Sequence, residues 1–438
     1  MNGFISLTDR VPTRLGIDLV GVCCALAYAT LAYLAQHAGE PSLLAFYAIV
    51  FWSATPVFCL YLLLTRRDEP LPISRLFFWA LVFRVCGLVG GPFYEDDFFR
   101  YLWDGYRFWE AGTPYGIAPE AFFLNQSVPV QLQAVLNQIN HPDVATIYGP
   151  ITQLLFLVAF LLNAASVATL QGLLIVVDLA TIYFLTRLTS TRNVMLYAWC
   201  PLVIKEIAFT AHPDGYAVCF VMAALLLTTK HRLGLAAFCL GLAIGAKIFA
   251  LALVPFVLCR ARFHHWLVFA GTVGLLYAPF VLTGATDIPT LMLFADEWEF
   301  NASLYALLTL AISATPAKLL LACTLAGGAI WYFKTYRREK TYIPRGDWIY
   351  GALFLAAPVF NAWYMLWLLP FAAIYPSRWA WTASIALLLT YITGLSLNDF
   401  DMQAYAQPMW VRLLEFGLIA IALAWDVRRN LRTKPLSH

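Results

Sequence analysis

Apolar residues run along this chain in long, nearly unbroken stretches, not in strand alternation or a one-sided helical stripe. About 20 such residues cross a bilayer as a helix. Runs over Ile17 to Leu34, Leu43 to Leu64 and Leu76 to Gly90 predict three spans. Ile151 to Leu162 is shorter and predicts an interfacial or re-entrant helix. Leu173 to Leu185, Val194 to Phe209 and Trp266 to Leu282 predict further spans. Leu233 to Cys259 is broken only by Lys247, which predicts a hairpin of two short helices with the lysine at its tip. The pattern predicts about 13 passes.

Polar residues sort by side. Loops facing the cytoplasm carry excess Lys and Arg. Arg10 and Arg14, Arg66 to Arg75, Arg187 and Arg192, Lys230 to Arg232, Arg260 to His265, Lys334 to Lys340 and the C-terminal arginines form one basic set. The intervening loops gather acids, His, Asn and Trp, and this parity puts them outside. Among them are the stretch 91–150, the segments around His212 and Trp298, and residues 397–405. The expected location is a membrane crossed several times, with the acidic loops facing the exterior.

Composition agrees. Of 438 residues, 61% are hydrophobic and 12% charged, about half the charge of a soluble chain. The fold class is therefore an all-α polytopic membrane protein, read as one domain over 1–438 because no repeat or linker is visible. The nine cysteines lie in apolar runs and read as buried hydrophobes. Basic residues are scattered in short loops, so nucleic acid is not an expected partner; membrane lipids are.

The first outer loop carries the strongest chemistry. Glu95, Asp96 and Asp97 follow directly on the third apolar run, with Arg100, Tyr101, Trp103 and Asp104 behind them. Acids where a helix leaves hydrocarbon are costly and point to function. His141 with Asp143 and Tyr148, Glu206 with His212 and Asp214, Lys247, and Glu297 with Trp298 and Asn301 complete the outer clusters. Singly, each has an ordinary explanation: turns at His141–Pro142 and His212–Pro213, a Lys205–Glu206 pair, a snorkelling Lys247. As a set they suit sugar transfer, with a carboxylate as base, a cation for a phosphate leaving group and aromatic rings for a sugar face. Walker A, dinucleotide-binding, HExxH and GxSxG signatures are absent, which favours a donor carried in the membrane.

At these residues the sequence resembles the GT-C class of integral-membrane glycosyltransferases, and most nearly its bacterial polyprenyl-phosphate-mannose-dependent branch. Asp96, Asp97, Arg100, Tyr101, Trp103, Asp104 and Gly105 match D-D-x-x-R-Y-x-W-D-G, and Gly112, Pro114 and Tyr115 match the following G-x-x-P-Y. Ile139 to Pro142 and Ile147 to Pro150 match a further element, with Gly149 for a proline. Trp199, Pro201, Leu202, Glu206, His212 and Asp214 match another, with Cys200, Ala211 and Pro213 departing from it. Lys247, Trp298 to Asn301, and Asn361 with Trp363 and Tyr364 follow in order.

The resemblance implies a GT-C-like transmembrane bundle whose outer loop carries short interfacial helices, in a bacterial inner membrane with the site facing the periplasm or exterior. It implies a polyprenyl-phosphate-linked hexose donor, inversion at the anomeric carbon, and an acid of the first outer loop as base. Asp96 is the expected base, with Asp97 next; a divalent cation (Mg or Mn) on the same pair is the other role open to them. Lys247 and Arg100 are expected to hold the donor phosphate. Glu206, His212 and Asp214 are expected to position sugar hydroxyls or the phosphate. Glu95, Tyr101, Asp104, His141, Tyr148, Trp298, Asn301, Trp363 and Tyr364 are expected to line the substrate site. The acceptor stays open between glycan, lipid and protein. The rival reading is a transporter or flippase of lipid-linked saccharides, which expects charges near the bilayer midplane and repeated halves.

Overall fold

The computed structural model describes residues 13–339, 342–398 and 401–433. Arg10, Lys340, Asp399, Phe400 and the tail from residue 434 lie outside them. Among the described residues the fold is all α, and the single β feature is an isolated bridge between Phe300 and Val359. Six helices are long and apolar enough to cross a membrane: α1 (Thr13–Ala38), α2 (Leu43–Arg67), α3 (Ile73–Gly90), α6 (Val167–Thr186), α9 (Phe263–Leu282) and α11 (Ala314–Tyr336). Between them lie α4 (Asp97–Ala111), α5 (Pro150–Leu162), α7 (Asp214–Thr229), α8 (Leu233–Ala246) and α10 (Ile288–Glu297); α12 (Met365–Ile374) and α13 (Met409–Thr433) follow.

Several expected spans are short or broken helices, so full-length spans are fewer than the apolar runs suggest. The stretch 194–209 divides into Thr191–Ala198, Pro201–Ile204 and a π-turn over Lys205–Phe209. Pro201 and the π-turn cause the break: proline withholds an N–H, and the π-turn widens the helix. With α7 it forms a broken pair bent by 118°, a seventh span if counted as one. The chain between Leu233 and Val257 reverses at Lys247, which adopts extended backbone between α8 and a 3₁₀ turn (Ile248–Leu253). His231 before this hairpin and Arg260 after it both meet the ring of Tyr342.

The bundle has two distinct ends. At one, Arg260 donates to the carbonyls of Tyr336 and Glu339, and Arg192 pairs with Asp68. At the other, Glu40 accepts from the Tyr94 amide, and Gln36 donates to the carbonyl of Val89. Close helix contacts set the second end. On α3, Gly87 and Gly90 let Ala208 and Phe209 of the π-turn come within a distance that a Cβ would fill. Gly105 on α4 lies against the Phe156 carbonyl of α5, and Gly149 against the Gly245 carbonyl of α8. These approaches draw the first loop, the π-turn and the Lys247 break together.

Among the described residues, one fully buried charge pair joins two spans, where the sequence pattern suggested none. Arg84 on α3 donates through Nε to Asp178 on α6 at 2.6 Å, and through an Nη atom to the carbonyls of Ala80 and Ala198. Tyr197 donates to the other Asp178 oxygen at 2.6 Å. Arg84 and Asp178 are both 0% exposed. The sequence reading follows loops, and a lone charge inside an apolar run does not disclose a partner 94 residues away.

Candidate active site at one end of the bundle

The site begins where α3 ends. Gly91 takes φ +75°, the left-handed region open to glycine, and Tyr94 follows at φ +60°. This bend delivers Glu95, Asp96 and Asp97 to the start of α4, all half-buried. Two adjacent aspartates need a fixed donor, and Asn140 supplies it. Its Nδ2 donates to Asp96 Oδ1 at 2.6 Å and Asp97 Oδ1 at 3.0 Å. Burial and then the neighbouring Asp97 push the Asp96 carboxyl above its ordinary value, while the Asn140 bond pulls it back. Burial pushes Glu95 well up, and Lys205 opposes the shift.

The next layer is a run of hydroxyl, imidazole and carboxylate groups. Tyr148 donates to the Tyr101 hydroxyl at 3.2 Å. The Tyr101 hydroxyl lies 3.5 Å from Asp97 Oδ2 and 3.4 Å from His212 Nδ1. His212 is 0% exposed and stacks on Trp363 with centroids 4.2 Å apart. Its Nε2 sits 3.4 Å from Glu206 Oε2, a contact too poorly aligned to be a hydrogen bond. Asp214, 1% exposed, accepts from Lys247 Nζ and from Trp367 Nε1, both at 2.7 Å. The ammonium of Lys247 also lies 5.3 Å from the Tyr364 ring centroid, and its side chain is 21% exposed.

A second lysine–carboxylate pair lies on the π-turn. Lys205 approaches Glu206 Oε2 at 3.5 Å and sits 3.7 Å above the Tyr391 ring. Tyr391 donates to Glu206 Oε1 at 2.7 Å, and Thr210 donates to Oε2 at 3.1 Å.

The structure thus joins Glu95, Asp96, Asp97, Tyr101, Tyr148, Glu206, His212, Asp214, Lys247, Trp363 and Tyr364 in one polar cluster. Other expected site residues lie around this cluster. The Arg100 guanidinium is held by the carbonyls of His141 and Val144, each at 2.8 Å, so it clasps the loop instead of facing a ligand. Asp104 lies beneath the site, accepting from Thr146 at 2.5 Å and Gln153 at 2.9 Å. Burial pushes its carboxyl up to about 6, against the pull of Arg100. Asn301 ties the 294–301 loop to the bundle by donating to Glu415 Oε1 and the Phe360 carbonyl. His141 and Trp298 meet at the mouth, with centroids 4.4 Å apart.

Sequence reasoning passed over Asn140, Trp367 and Tyr391 as site residues, and gave Lys205 only a structural pairing. Asn140 stood inside a matched element and could have been found there. Trp367 and Tyr391 lie in apolar runs, where one more aromatic carries no signal.

Among the described residues, no three or more His, Cys, Asp or Glu side chains converge as a metal cluster. Asp96 and Asp97, held by one donor, form a two-carboxylate set of the kind that binds a largely hydrated Mg ion. Fold and site together define an all-α multi-pass membrane protein with a polar cluster at one end of its bundle. Neither a protein-family model nor a curated protein matches the sequence.

Proposed function

We propose that the protein is an inverting glycosyltransferase that moves a hexose, mannose by the resemblance, from a polyprenyl-phosphate donor to an acceptor hydroxyl at the outer face of the membrane. One observation carries the reading: a pair of half-buried aspartates fixed by Asn140 is linked through Tyr101 to a buried His212, in the same polar cluster as a partly exposed Lys247–Asp214 pair. It supplies a base and a cation at one site, which in-line displacement at an anomeric carbon requires.

The acceptor oxygen attacks the anomeric carbon from the face opposite the phosphate, and its proton passes to Asp96. The bond from that carbon to the phosphate oxygen breaks, and the electron pair leaves with polyprenyl phosphate. A base is most effective when its pKa approaches the working pH, and burial moves Asp96 in that direction. Lys247 meets the charge developing on the phosphate, while Asp214, itself fixed by Trp367, holds its ammonium in place. Tyr101, Tyr148 and His212 position sugar hydroxyls. The other role open to Asp96 and Asp97 is to hold a divalent cation, which would neutralise phosphate charge there.

The transporter reading draws on one observation, the Arg84–Asp178 pair inside the helices. Both side chains are fully enclosed and engaged with each other and with neighbouring groups, so they line no passage. The test is to incubate the purified protein with polyprenyl-phosphate-mannose and candidate acceptors and analyse the products by mass spectrometry. An acceptor heavier by one hexose, together with free polyprenyl phosphate, supports transfer. Intact donor after prolonged incubation with every acceptor contradicts it.

A further inference from the structure

We propose that the mouth of the site is an acceptor subsite for an uncharged saccharide ring, formed by His141, Trp298 and Tyr405 beside Glu95, Asp96 and Asp97. This rests on the transferase reading above and names the acceptor class that reading leaves open.

Three rings from distant parts of the chain meet there. His141 lies 4.4 Å from Trp298 and 6.3 Å from Tyr405, centroid to centroid. Each is fixed by its own loop. Arg100 holds the His141 carbonyl, and His141 itself takes φ +46°. Trp298 ends α10, with its amide on the Phe294 carbonyl and its ring 5.2 Å from that of Phe294. The Tyr405 loop is pinned by bonds from Gly394 to the Ala406 carbonyl and from Leu395 to the Ala404 carbonyl. The rings are nonetheless open: His141 is exposed, Trp298 partly so, and Tyr405 is 50% exposed. Burial first, and then Asp96, Glu95 and Asp97, raise the Tyr405 hydroxyl above its ordinary value, which puts this ring within the field of the carboxylates.

A hexose has a C–H face and a hydroxyl edge. Half-exposed aromatic faces suit the first and carboxylates accept from the second. The local charge decides against an acid. Three acidic side chains stand at the mouth, while Lys205 is paired with Glu206, Lys247, assigned to the donor phosphate, with Asp214, and the Arg100 guanidinium is turned onto the carbonyls of His141 and Val144. Asp96 must be ionised to act as the base, so a uronic acid or phosphorylated sugar meets like charge there, and repulsion of that kind sets specificity.

The test uses the full-length protein in nanodiscs with polyprenyl-phosphate-mannose and three probes: octyl mannoside, octyl glucuronide and a serine/threonine peptide. The expected result is transfer to the mannoside with kcat/KM at least about tenfold above either other probe. Trp298→Leu and Tyr405→Leu are expected to raise the KM for mannoside about tenfold more than the KM for donor, and Trp298→Tyr to recover most of the loss. Glucuronide or peptide used as well as mannoside overturns the subsite, and that comparison needs no variant. So does an unchanged mannoside KM in both leucine variants. A parental protein that releases no polyprenyl phosphate with any probe overturns the transferase reading and the subsite with it.

Discussion

Asn140 makes two adjacent aspartates different. Its amide donates to one oxygen of each, but Asp97 has a second neighbour in Tyr101, whereas among the described residues Asn140 is the one side-chain donor on Asp96. A donor to a carboxylate favours the charged form. Removing it therefore raises the Asp96 pKa further, and a base that must be ionised is then lost at a higher pH. Asn140→Leu is expected to move the acid limb of the rate–pH profile upward and to lower the rate at neutral pH by roughly tenfold, the worth of a charge-assisted hydrogen bond. A profile that keeps its parental acid limb contradicts this role. At this scale the sequence was legible wherever polar residues cluster: Asp96, Asp97, His212 and Asp214 stand out against an apolar background. It was illegible where the partner is an aromatic in a span, as with Tyr391 on Glu206 and Trp367 on Asp214.

The elements that position the site are held by one buried charge pair. Arg84 ties α3, which delivers the carboxylates, to Asp178 on α6 and to the carbonyl of Ala198, which leads into the π-turn. Breaking a buried pair strands the remaining charge, at a cost of about 3–5 kcal/mol, whereas replacing both partners by apolar residues is often neutral. Arg84→Leu and Asp178→Leu are each expected to lower the unfolding temperature in detergent sharply, and the double variant to regain most of the loss. Additive losses in the double variant contradict the clasp. The long spans α1, α2, α3, α6 and α9 were legible because their apolar runs carry at most one charge each. The broken stretch around Lys205 was not, because a π-turn is set by side-chain packing against Gly87 and Gly90, which hydropathy does not record. The reversal at Lys247 was legible because a single charge interrupts an otherwise apolar run.

For the whole molecule, Arg192 and Arg260 lie at one end of the bundle among the described residues and the Glu95–Asp97 stretch at the other, so the two ends should face opposite sides of the membrane. In a background with the nine native cysteines replaced, a cysteine at position 95 should react with an impermeant reagent added outside whole cells, and one at Arg337 only after permeabilisation. Reversed labelling would place the site in the cytosol and remove the basis for an exterior reaction. The central claim is chemical and falls on the aspartate pair. Its most direct test is the rate of hexose release from polyprenyl-phosphate-mannose by the parental protein, Asp96→Asn and Asp97→Asn, each first shown to insert and fold. The predicted result is a drop of about 10²-fold or more for Asp96→Asn, the contribution of a general base. Parental rates from both variants contradict the account.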